Sequence, residues 1–149
     1  MPQPTSPALE PLRDWFRTWE TFVRAVDFAA ARQLFDPDVA SFGTHAEIVT
    51  GIDQLAAQQW SAIWPAISDF RFLVDRLHGD ISGTHAWAAV PWTSTGYHQD
   101  GTAFDRPGRA TVTLRLDGTR WLGLHTHFSL KPGTPPRTYG KPKQGGTSV

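Results

Sequence analysis

Residues 103–130 read AFDRPGRATVTLRLDGTRWLGLHTHFSL. Ala103 to Leu116 and Trp121 to Leu130 are runs in which apolar and polar side chains alternate, the period of a strand with one buried face. Asp117-Gly118 between them has the turn chemistry of a tight hairpin. Two similar runs precede these, His85 to Thr95 and Phe70 to Leu77. The connectors are Gln99-Asp100-Gly101 and His78-Gly79-Asp80 with Ser82-Gly83, and links this short join antiparallel neighbours. The pattern predicts a meander of four strands after residue 68.

Upstream of residue 68 the period is helical. Trp15, Phe16, Trp19, Phe22, Val23 and Val26 recur at helical spacing, with Arg13, Asp14, Arg17, Glu20 and Arg24 opposite them, which predicts an amphipathic helix. Asp27 is placed to cap a second helix over Phe28 to Phe35, which Pro37 ends. Val39 to Phe42 reads as a short strand. Gly51 opens a third helix carrying Ile52, Leu55, Ala56, Gln59, Trp60, Ile63 and Trp64, closed by Pro65. Helices followed by strands give an α+β fold, with three N-terminal helices packed on one face of a curved antiparallel sheet. At 149 residues one domain is expected. Residues 12–132 carry it, and residues 1–11 and 133–149, rich in proline and polar residues, read as flexible tails.

Fourteen Lys and Arg balance fourteen Asp and Glu, and no block of like charge appears, so nucleic acid and anionic membranes are not expected as partners. No apolar run approaches the length of a spanning helix and the N-terminus lacks a signal-peptide pattern, so a cytoplasmic location is expected. The absence of cysteine excludes disulfides, thiolate catalysis and cysteine-ligated zinc. Seven tryptophans and nine phenylalanines are the unusual feature. Rings of this size either fill a core or line a pocket for a flat apolar ligand.

The element order, with Leu34-Phe35 and Asp38 before the first strand and Gly108 to Arg115, Asp117-Gly118, Trp121, His125, His127 and Ser129 in the final hairpin, resembles the nuclear transport factor two-like superfamily. It is most similar there to SnoaL-like and ketosteroid isomerase-like domains. The final hairpin is also similar to that of the calcium/calmodulin-dependent protein kinase II association domain. The resemblance spans roughly residues 12–132 and implies a cone-shaped sheet with the helices on its concave face. It does not imply one activity, because this superfamily hosts isomerases, cyclases, dehydratases and assembly modules. The positions corresponding to the aspartate base and the tyrosine donor of ketosteroid isomerase hold Gly43 and Trp19, neither of which moves a proton, so that enolisation mechanism does not carry over.

Alternation along the last strand places Leu122, Leu124, Thr126 and Phe128 on one face, expected to be concave, and Trp121, Gly123, His125, His127 and Ser129 on the other. By the resemblance to the kinase domain, Trp92, Ser94, Thr111 and Phe128 face the pocket; with Phe16, Trp19, Phe42 and Trp60 they form an apolar candidate ligand site. Candidate catalytic residues are His45, or Glu47 in the same loop, as a general base, His127 as a proton carrier and Arg109 as an anion stabiliser. Arg109 equally suits an ion pair with Asp105 or Asp69. Three readings stay open. The first is a SnoaL-like protein binding a small apolar or aromatic metabolite, with an acid-base isomerisation, cyclisation or dehydration as its reaction. The second is a non-catalytic homodimeric module joined through Trp121, His125 and His127. The third is a metalloenzyme using His125 and His127, with His85, His98 or Asp105 as a further ligand. No cofactor is expected.

Overall fold

The computed structural model describes residues 3–44 and 47–142. Helix α1 (Glu10–Ala25) has Pro11 in its first turn and Arg24 in its last, as the helix dipole favours. It buries Leu12, Trp15, Phe16, Trp19 and Val23. Arg13 on the same helix turns back, donating to the Pro4 and Ser6 carbonyls and to Glu10 at 2.7 Å. Leu9, in a 3₁₀ turn Pro7–Leu9, is fully buried. The expectation of a free tail over residues 1–11 is thus corrected for residues 4–11, which are docked on the body.

Helix α2 (Phe28–Arg32) starts where Asp27 accepts the Ala30 N–H at 3.0 Å, the predicted cap. It stops short of Pro37, which instead lies inside strand β1 (Phe35–Phe42). Proline is tolerated there because the pairing of β1 is irregular between Phe35 and Ala40, so no ladder bond is forfeited. Strand β2 (Ile48–Thr50) follows, too short for sequence periodicity to reveal. The third helical segment is one rod of mixed pitch: α3 (Ile52–Leu55), a π-helical turn Ala56–Trp60, α4 (Ser61–Ile63) and a 3₁₀ turn Trp64–Ala66 containing Pro65.

The remaining strands are β3 (Ser68–Phe72), β4 (His78–Ser82), β5 (His85–Tyr97), β6 (Ala103–Asp105), β7 (Gly108–Asp117) and β8 (Arg120–Leu130). All eight form one curved, unclosed sheet of order β2-β1-β8-β7-β5-β3, with β4 and β6 also paired to β5. Two expected strands are therefore each split in two along β5. Residues 70–77 divide at the 3₁₀ turn Val74–Arg76, and His78-Gly79-Asp80, expected as a turn, opens β4. Residues 103–116 divide at Arg106-Pro107, where proline has no N–H to give a ladder. The sheet is mixed, since β1 runs parallel to β8, joined by the long crossover that a parallel pair requires. At the other end, Thr138 accepts from Tyr97 N–H at 2.9 Å and donates to the Ala66 carbonyl at 2.6 Å, while Tyr139 N–H donates to the Tyr97 carbonyl. The expected tail from residue 133 is corrected in part: these bonds hold the chain around Thr138 and Tyr139 against β5 and the third helical segment.

The face of the sheet turned to the helices combines small and large residues. Ala86, Ala88, Val90 and Trp92 of β5 stand opposite Leu114, Val112, Ala110 and Gly108 of β7. Phe16, Trp19, Phe35, Phe70, Phe72 and Phe128 fill the space above them in edge-to-face and tilted ring contacts 4.8 to 6.4 Å apart. Gly108 is the tightest point: a Cβ there would lie 2.2 Å from the Trp92 ring and 2.3 Å from the Ser129 carbonyl. Gly108→Ala is expected to lower stability by about 1–3 kcal/mol through overpacking. A urea denaturation midpoint unchanged from wild type would contradict that placement of Trp92.

Candidate functional site

Helices and sheet do not close completely over one another, leaving a cavity of about 120 Å³. Trp19 and Val23 of α1, Trp60 of the π turn, Trp64, Ile67, Phe70 of β3, Trp92 of β5 and Phe128 of β8 form its apolar wall. The π turn matters because it departs from the α-helical pitch where Gln58, Gln59 and Trp60 all reach the lining. Trp60 stacks on Trp64 with centroids 4.5 Å apart and planes 18° from parallel, giving a flat wall.

One corner is polar. Ser41 and Thr126, facing each other across β1 and β8, share a hydrogen bond between their hydroxyls, and Ser41 also donates to Gln59 Oε1 at 3.2 Å. Gln59 occupies the space that a side chain at position 43 would need, since a Cβ on Gly43 would come within 2.8 Å of it. Beside this group lies Arg106, in the link between β6 and β7. Its backbone is pinned twice by Ser94: Arg106 N–H donates to the Ser94 carbonyl at 2.9 Å, and Ser94 Oγ donates to the Arg106 carbonyl at 2.8 Å. The side chain is 1 % exposed and its guanidinium lies 5.6 Å from the centroid of the Trp92 ring. Nη2 donates to Thr44 Oγ1 at 3.2 Å, and among the described residues Nε has no partner and no carboxylate forms a salt bridge with the group. Burial pushes its pKa down to about 10, which leaves it charged at neutral pH.

A family profile for the SnoaL-like domain matches residues 12–132. The chain belongs to the SnoaL-like family. Solved structures agree with the fold of this SnoaL-like chain. A protein from Xanthomonas campestris assigned as a calcium/calmodulin-dependent protein kinase II association domain is 17 % identical with a TM-score of 0.74, the match covering 90 % of this chain and 95 % of that one. A nuclear transport factor 2-like superfamily protein from Salmonella enterica is 20 % identical, with a TM-score of 0.70 and coverage of 95 % and 96 %. A ketosteroid isomerase-like protein from Erwinia carotovora is 15 % identical, with a TM-score of 0.69 and coverage of 87 % and 99 %. No curated protein matches the sequence. At these identities the structures show a shared fold and no shared chemistry.

Within this SnoaL-like fold, Trp19, Trp60, Trp92 and Phe128 of the expected ligand-binding residues line the cavity. The others are placed elsewhere. Phe16 is fully buried in the ring cluster, and Ser94 acts on the site only through the Arg106 backbone. Thr111 and Phe42 are corrected: both are exposed on the outer face, where Thr111 and Phe42 each pair with His127. His127 and Arg109 are also on that face, Arg109 donating to Ser129 Oγ at 3.0 Å rather than to Asp105 or Asp69. His45 lies outside the described residues, and Glu47 is exposed.

The face assignment along β8 holds from His125 onward and reverses before it. A bulge at Leu124 breaks the register, so that Thr113 pairs with His125 but Leu114 with Gly123. Gly123 therefore faces the helices, with Phe35 and Trp15 over it, and Trp121 packs against the core instead of standing on the outer face. His125 Nδ1–H donates to the Ala40 carbonyl at 2.8 Å. Among the described residues no three His, Asp or Glu side chains cluster as a metal site would need, and no helix is long and apolar enough to cross a membrane. Sequence reading missed the polar site residues Arg106, Gln59 and Thr44 and the wall residues Val23, Trp64, Ile67 and Phe70, and it put Thr126 on the concave face without assigning it to the site. Arg106 carried one usable signal, an arginine placed directly before a proline that interrupts a strand run.

Proposed function

We propose that this SnoaL-like domain binds a small, flat, apolar molecule in its cone. The carrying observation is the cavity wall, where four of the seven tryptophans of the chain, with Phe70 and Phe128, surround a space left unfilled by an otherwise close-packed core. At about 120 Å³ this space is close to the roughly 150 Å³ of an apolar cavity that holds benzene, the scale of a single aromatic ring. The described lining residues include no histidine, aspartate or glutamate, so they supply binding and polarisation rather than a proton carrier for isomerisation, cyclisation or dehydration. Ala62 is exposed at the cavity, so Ala62→Trp is expected to block it with little change in stability. Toluene binding, followed by tryptophan fluorescence, should weaken at least tenfold; equal affinity in the two proteins would remove the cavity as the binding site.

A second reading concerns the outer face of β1, β7 and β8. Phe42, 37 % exposed, lies there with its ring 5.1 Å from His127 and 5.7 Å from His125. An exposed phenylalanine between two imidazoles supports self-association through this face, with Trp121 excluded from it. Sedimentation should show that Phe42→Ala with His127→Ala reduces association of the wild-type protein, and an unchanged distribution would remove this face from any interface.

A further inference from the structure

Buried polar atoms in folded proteins almost always have partners, and each exception calls for a cause. Among the described residues three buried side-chain atoms have none: Trp19 Nε1, Trp92 Nε1 and Arg106 Nε. All three are donors, and all three belong to residues that line the one cavity described above. One of them is part of a cation. The nearby polar groups, Thr44, Thr126 and Gln59, are neutral, and the remaining lining is carbon-rich. A buried charge without a counter-charge is costly, and the cost falls when an anion enters.

We propose that the ligand of this cavity is a monocyclic aromatic carboxylate, its ring against the tryptophan wall and its carboxylate on Arg106. The proposal rests on the cavity reading above and adds the ligand's charge. A planar carboxylate suits the guanidinium because its two oxygens match the fork of N–H donors. The cation also resists displacement, because Ser94 holds its backbone at two points and Gly96 leaves room for its stem: a Cβ on Gly96 would lie 3.1 Å from Arg106 Cδ. Among the described residues no ion pair has to be broken before Arg106 serves the ligand.

The test compares benzoate with its neutral isostere benzamide by calorimetry on the full chain at neutral pH. A charge-assisted hydrogen bond to a buried guanidinium predicts that benzoate binds roughly ten- to hundredfold more tightly. Arg106→Met, which keeps an unbranched stem and removes the cation, should bring the two affinities together. The wild-type comparison decides the matter even if that variant does not fold. Equal binding of benzoate and benzamide, with toluene still bound, overturns the anion proposal and leaves the cavity reading intact. If none of the three compounds binds, both readings fall.

Discussion

Trp92 lies across Gly108, and that contact sets how far the helices stand from the sheet. A ring of this size is accommodated on the inner face only because its cross-strand neighbour has no side chain and because Ala88 and Ala110 keep the adjoining surface low. The rings of α1 and β3 then pack on Trp92 and Phe128 rather than on backbone. Rigid aromatic shapes cannot fill every gap at native packing density, and the residual space gathers where the helical rod changes pitch. The cavity is thus a consequence of how the core is built, with the π turn at Ala56–Trp60 directing Gln59 and Trp60 to its wall.

Electrostatics then gives the cavity a direction. One end is indole and phenyl; the other is Arg106 with hydroxyl and amide neighbours. Every carboxylate in the described salt bridges lies elsewhere, as with Asp36, held below the usual carboxylate range by the Asp38 N–H and by Arg115 at 2.6 Å. Arg106 instead lies beside the Trp92 ring, an arrangement that stabilises a cation without neutralising it. The same tryptophan that spaces the core therefore also supports the charge at the site.

Fold class and helix positions were legible because they depend on periodicity, which the amphipathic α1 and the alternating β5 display plainly. Helical periodicity likewise puts Trp19 and Trp60 on the buried side and strand alternation puts Phe128 on the concave face, whereas the pocket placement of Trp92 comes from the resemblance to the kinase domain. What periodicity hides is local irregularity. The bulge at Leu124 reversed Trp121 and Gly123, the Val74–Arg76 turn made two strands of one expected run, and the irregular β1 pairing admitted Pro37. Analogy to another domain's pocket selects Thr111 and aromatic character selects Phe42, and the register here sends both outward. Arg106 escaped notice because its burial arises from non-local packing: the contacts that enclose it come from residues 44, 92, 94 and 96, and no short window of sequence contains them.

The most direct measurement is a crystal structure of the protein with bound benzoate. The ring should occupy the cavity against Trp60 and Phe128, with a carboxylate oxygen within hydrogen-bond distance of Arg106. Benzoate bound on the outer face by Phe42 and His127, or seated in the cavity with its carboxylate turned away from Arg106, would contradict the account.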